Sequence, residues 1–161
     1  MRLTLQTDYA LRVLMYVGVK GEALSTIPEI VAHFGISRGH LMKVVHRLGQ
    51  LGYLETIRGA RGGIRLARQA GQINVGSVIR DMEEELGVFG CLQGAVDYCR
   101  IEAACVLRSA ARDATNAFLA TFDKYTVADL IKPRALPQLL QLEDTPRDRP
   151  GGAGKARAAA G

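Results

Sequence analysis

The chain has 161 residues, 48% of them hydrophobic, 23% charged and only 6% aromatic, with no Trp; that is enough for one domain or for a small head with an oligomerisation element, and it favours helices over a large β-sandwich. The longest uncharged stretches, Gln69 to Ile79 and Leu86 to Val96, run eleven residues each, too short to span a membrane, and Asp8 and Arg12 interrupt the apolar start in a way that excludes a signal peptide, so a cytoplasmic protein is expected. The net charge of +5 is uneven: residues 1–66 carry nine Lys or Arg against four Asp or Glu, residues 67–143 eight against ten, and residues 144–161 four against two. A basic head is the electrostatic footprint of a nucleic-acid binder, although other soluble domains reach a similar charge.

Thr7 to Lys20 is predicted as the first helix, with Thr7 as its cap, Asp8 at its positive end and Ala10, Leu11, Leu14, Met15 and Val17 on its apolar face, before Gly21 stops it. A second helix covers Ile27–Phe34, with Pro28 in its first turn and Gly35 breaking it. Ser37 caps a third, in which Leu41, Val44, Val45 and Leu48 share one face while Arg38, His40, Lys43 and Arg47 are left for another. Two short helices joined by a glycine-containing turn, the second one basic, describe a helix-turn-helix. Directly after it, Tyr53–Ile57 and Ile64–Leu66 flank Arg58–Gly63, a hairpin with Arg58 and Arg61 at a glycine-rich tip. The hairpin reads as a wing, the plainer alternative being a solvated hairpin with ordinary surface arginines. The candidate DNA contacts are Ser37, Arg38, His40, Lys43, Arg47, Arg58 and Arg61. Arg38, in the first turn of the recognition helix, is placed to read a base edge, whereas Arg61 suits a minor groove or the phosphate backbone.

Asn74 caps a further helix with Val75, Val78, Ile79, Met82 and Leu86 at helical spacing, its Glu83, Glu84 and Glu85 expected in solvent. A poorly periodic segment from Gly87 to Cys105 contains every cysteine of the chain. A long helix to about Tyr125 follows, with an apolar stripe of Leu107, Ala111, Ala114, Phe118, Phe122 and Tyr125 that serves dimerisation or packing within its own domain, the former being favoured. Thr126 and Asp129 make a capping-box-like start to a short closing helix. Beyond Glu143 no hydrophobic pattern remains. The expected organisation is a winged helix-turn-helix head over 1–74, a cysteine loop and dimerisation helix over 75–142, and a disordered tail over 143–161: a mainly α fold with a small β-wing.

Cys91, Cys99 and Cys105 are separated by seven and five residues. In a cytosolic protein an odd number of clustered thiols points to soft-metal ligation rather than to a disulfide framework, and the spacing is not that of a zinc ribbon. Three incidental cysteines are the other reading. His33, His40 and His46 all fall in the head, and no catalytic grouping accompanies them, so no enzyme is expected.

In the runs Met1–Thr4, Thr7–Arg12, Ile36–Lys43, Ile57–Leu66, Cys99–Cys105 and Asp123–Leu130, the sequence resembles the iron-sulfur winged-helix transcriptional repressors, and among them the nitric-oxide-sensing NsrR type, over roughly residues 1–142. The resemblance implies a homodimer that binds double-stranded operator DNA. It also implies an iron-sulfur cluster on Cys91, Cys99 and Cys105, 4Fe-4S favoured over 2Fe-2S, with the long helix forming the dimer. In the IscR type, a His three residues after the last Cys completes the cluster site; Arg108 stands there and cannot ligate. In the NsrR type, an Asp of the partner's first helix does so, and Asp8 matches it, although a carboxylate at that position also suits a helix N-terminus by itself. The seven-residue gap between the first two cysteines also occurs in the iron-responsive RirA type, which keeps iron sensing as the alternative to nitric oxide.

Overall fold

A computed structural model describes residues 3–87, 89, 92, 99, 101, 104–132 and 136. In chain order these form helices α1 (Leu5–Lys20), α2 (Ile27–Phe34) and α3 (Arg38–Gln50), strands β1 (Leu54–Ile57) and β2 (Gly63–Leu66), a 3-10 turn (Ala70–Gln72), and helices α4 (Val75–Met82), α5 (Val106–Phe122) and α6 (Val127–Ile131). Cys91 and the tail over 143–161 lie outside the described residues.

Helix α1 runs through the centre. Its Val13, Leu14 and Val17 are buried against Ile30 of α2, Leu41, Val44 and Leu48 of α3, Val78 of α4 and Val127 of α6, each such side chain contributing about 1.5–3 kcal/mol over leaving it exposed. A smaller cluster of Val75 and Ile79 from α4 with Leu119 from α5 fastens the long helix to this body.

The turn between α2 and α3 follows from two residues. Gly35 takes the left-handed conformation, φ 64°, that ends α2, and Ser37 Oγ accepts from the His40 amide to start α3. Thr26 and Glu29 form a reciprocal capping box at the start of α2. The wing pairs β1 and β2 antiparallel, with Glu55 opposite Arg65 and Thr56 opposite Ile64. Its second strand is also bonded on the other side: the Ser25 amide donates to Ile64 O at 2.9 Å and the Ile64 amide to Ser25 O at 2.8 Å. The contact is close enough that a Cβ on Gly63 would sit 2.7 Å from Ser25 O.

Four expectations are corrected. Thr4, not Thr7, caps α1; the Thr7 amide donates to Thr4 Oγ1, and Thr7 itself is buried. Helix α4 ends at Met82, and Glu83 is half-buried and bonded to the start of α1, its Oε1 accepting from the Thr4 amide at 2.7 Å, from Thr4 Oγ1 at 3.0 Å and from Thr7 Oγ1 at 2.5 Å. Helix α5 stops at Phe122 because Thr126 opens α6 with a true capping box, the Asp129 carboxylate accepting from the Thr126 amide. The stripe of α5 divides: Ala111 and the unforeseen Leu119 are buried and Phe118 stacks edge-on against Phe122, whereas Leu107, Ala114 and Tyr125 are exposed within the single chain.

Candidate DNA-binding face and cysteine site

The buried face of α3, Leu41, Val44, Val45 and Leu48, fixes the helix roll and leaves Arg38, His40, Lys43 and Arg47 exposed. Ser37 is itself exposed, and its hydroxyl is committed to the His40 amide. Met42, 52% exposed on the same helix, was missed by charge-based reasoning; an uncovered apolar side chain between basic ones suits contact with a thymine methyl. At the wing, Arg58 and Arg61 are exposed. The tip needs its glycines: Gly59 has φ 119°, and a Cβ on Gly62 would lie 2.2 Å from Ile57 O. Arg65 and Arg68 are engaged elsewhere, Arg65 with Glu55 at 2.9 Å and Arg68 with the carbonyls of Leu51 and Gly52 and over the Tyr53 ring.

Arg47 also has a bond inside the protein, its Nη2 donating to Asp81 O at 3.3 Å near the end of α4. The Asp81 carboxylate accepts from the Tyr53 hydroxyl at 2.5 Å. Burial, and then that carboxylate, push the Tyr53 phenol above its ordinary range, so it remains a donor at any physiological pH. A groove of about 320 Å³ between the start of α1 and the first turns of α3 is lined by Leu5, Tyr9, His40 and Lys43, so two predicted DNA contacts also border α1.

Asp8 sits in the first turn of α1, half-exposed, its Oδ2 2.9 Å from Arg12 Nε one helical turn on. Cys99 and Cys105 are free and half-buried, Cys105 directly preceding α5. Among the described residues no three His, Cys, Asp or Glu converge on one point; the three-cysteine set includes Cys91, which is not described. The donor chemistry fits an iron-sulfur group: two unpaired thiols, with Cys105 facing a cleft of about 400 Å³ that it shares with Ser109, Arg108 and Arg112. Guanidinium groups there would offset the negative charge of thiolates.

The profile of the Rrf2 family, described as iron-dependent transcriptional regulator, matches residues 3–133. The chain is 47% identical over 136 residues to the HTH-type transcriptional regulator NsrR of Geobacillus kaustophilus, covering 84% of this chain and 92% of that one. It is 44% identical over 147 residues to the regulator of the same name from Bacillus subtilis, covering 89% of this chain and all of that one. Among solved structures, CymR, the global cysteine regulator of B. subtilis, superposes with a TM-score of 0.67 at 23% identity, over 81% of this chain and 96% of the other; the shared fold is a winged helix.

Proposed function

This chain belongs to the Rrf2 family of transcriptional regulators, and from that premise we propose that it is a homodimeric cytoplasmic repressor, with an iron-sulfur cluster, that lets go of operator DNA in response to nitric oxide. Cys91, Cys99 and Cys105 would hold the cluster, 4Fe-4S in preference to 2Fe-2S, with Asp8 of the second subunit as the fourth ligand. When bound, the cluster supplies an iron centre reactive toward nitric oxide. The observation that carries this reading is the 47% identity to an NsrR-named regulator over nearly its whole length, joined to free thiols at Cys99 and Cys105.

The residues divide the work. Helix α3 enters a major groove with Arg38, His40, Met42 and Lys43, while Arg58 and Arg61 of the wing follow the adjacent backbone or minor groove. Asp8 is accessible: the exposed pair it makes with Arg12, four residues on, is of a kind worth about 0.3–0.5 kcal/mol, so the carboxylate can leave it at little cost. A carboxylate is a harder iron ligand than a thiolate and the more readily displaced. Tying the cysteine segment of one subunit to α1 of the other would couple the spacing of the two heads to the cluster. The dimer face proposed is the first half of α5, where Val106 is 81% and Leu107 60% exposed in the single chain, with Ile101 nearby in sequence at 66%; apolar side chains so uncovered favour a protein partner.

The test is an anaerobic gel shift on a DNA duplex selected in vitro by the cluster-loaded protein, titrated with nitric oxide and separately with an iron chelator. Release at near-stoichiometric nitric oxide is expected. Release by the chelator alone would favour the second reading, an iron-responsive regulator of the RirA type, which the seven-residue gap between Cys91 and Cys99 supports.

A further inference from the structure

The three residues Asp81, Met82 and Glu83 close α4, and the chain runs on from them directly into the cysteine segment. These residues also bond to three separate parts of the head. The Glu83 carboxylate accepts from Thr4 and Thr7 at the start of α1; the Asp81 carbonyl accepts from Arg47 of α3; and the Asp81 carboxylate accepts from Tyr53 at the entrance to the wing. We propose that residues 81–83 are a coupling joint through which the cysteine segment sets the attitude of the DNA-reading head within its own subunit, with Asp81 and Glu83 as positioning residues.

The joint is built to transmit rather than to absorb. Thr7 is fully buried, and its hydroxyl has Glu83 and Thr4 as partners, so withdrawing Glu83 leaves a buried polar group short of a partner, which is costly. A displacement at residue 84 therefore moves α1 with it instead of slipping past. Arg47 adds a direct link to the recognition helix, and its donor lies on the Asp81 carbonyl, in the last turn of α4 where carbonyls lack intrahelical partners. Asp8 lies beside Thr7 on α1, so this helix start receives one input from its own chain and, on the reading above, one from the second subunit. The inference rests on that reading for the signal and on the hydrogen bonds for the route.

The experiment compares full-length wild type, Glu83→Ala, Glu83→Gln and the double variant Glu83→Ala with Tyr53→Phe, all purified anaerobically. Iron and sulfide content are measured, together with affinity for the in vitro selected duplex before and after cluster removal by chelation. Expected is an unchanged iron content in Glu83→Ala with the cluster-dependent affinity ratio falling about ten-fold, the order of typical couplings between sites. Glu83→Gln, which keeps an acceptor oxygen, retains most of the ratio. An unchanged ratio in both Glu83→Ala and the double variant overturns the joint while leaving the cluster reading intact. A wild type without iron and sulfide overturns both. Should Glu83→Ala fail to fold, amide hydrogen exchange of the wild type with and without cluster decides: changed protection in the first turn of α1 and the last turn of α3 supports the joint, and none there overturns it.

Discussion

Arg80 and Asp123 meet through two parallel hydrogen bonds of 2.7 and 2.6 Å that clamp α4 to the residue following α5. Gly76, one turn before Arg80, makes room for the clamp: a Cβ there would lie 2.0 Å from Asp123 Oδ1. Alanine in place of glycine within a helix ordinarily stabilises by about 1 kcal/mol. Here Gly76→Ala is expected to lower the melting temperature, because Asp123 has to leave Arg80. In an Asp123→Ala background the same substitution is expected to raise it. Calorimetry on the four proteins of this cycle checks the change of sign, and a stabilising Gly76→Ala in the wild type would show that the clamp yields freely.

The clamp also gives acid sensitivity a direction. The Arg80 hydrogen bond holds the Asp123 carboxyl below its ordinary range, so the folded state releases that proton more readily than the unfolded one. Its stabilising contribution is complete above the unfolded value, near about pH 4, and disappears as pH falls through the lower folded value. Asp123→Asn should therefore flatten the loss of stability below about pH 4 while being less stable at neutral pH. Denaturant midpoints at neutral and acid pH measure it.

Arg38 and Arg61 should fail in different ways. Arg38→Ala is expected to cost about 1–3 kcal/mol at one position of each half-site. Arg61→Ala should weaken binding to all sequences and reduce the salt slope by about one per lost phosphate contact. Binding to a panel of duplex variants at several salt concentrations separates these patterns; a uniform loss for Arg38→Ala with a single-position loss for Arg61→Ala would reverse the assignment.

For the cysteines, Cys91→Ala, Cys99→Ala and Cys105→Ala are each expected to abolish visible cluster absorbance without unfolding the protein. Asp8→Ala should keep much of that absorbance but weaken the response of DNA binding to nitric oxide. A full cluster in any cysteine variant removes that residue from the ligand set, and a wild-type response in Asp8→Ala returns Asp8 to its pairing with Arg12.

Leu107 gives a test of assembly. It is 60% exposed although its spacing places it on the apolar stripe, so Leu107→Glu should shift the protein toward monomer in sedimentation and leave its helical circular dichroism intact. An unchanged dimer would move the interface elsewhere.

What the sequence made legible was local. Gly35 and Ser37 punctuate the helix-turn-helix, and their conformations require no information from elsewhere in the chain, so those boundaries could be read residue by residue. Thr4 and Thr7 were harder, because both hydroxyls sit at the helix start and both bond to Glu83, which is 79 positions from Thr4 in sequence. The same carboxylate was hidden within an acidic run whose other members need no partner. Burial of Leu119 and exposure of Leu107 on one helix depend on where α4 leaves off, a tertiary fact that periodicity alone does not carry. The ligand role proposed for Asp8 rests on resemblance: its position and its bond to Arg12 equally describe an ordinary helix-start carboxylate.

The pair of bonds between Ser25 and Ile64 has a consequence for how operators can vary. The two bonds stitch the wing to the strand-like entry of α2, with a close approach at Gly63, and so tie the wing to the helix-turn-helix that carries α3. If α3 and the wing meet DNA as proposed, the distance along the duplex between the bases met by α3 and the backbone met by Arg58 and Arg61 is then fixed within each subunit. On the proposed DNA-binding reading each half-site is then expected to have one length, so that a base pair inserted within it should abolish binding.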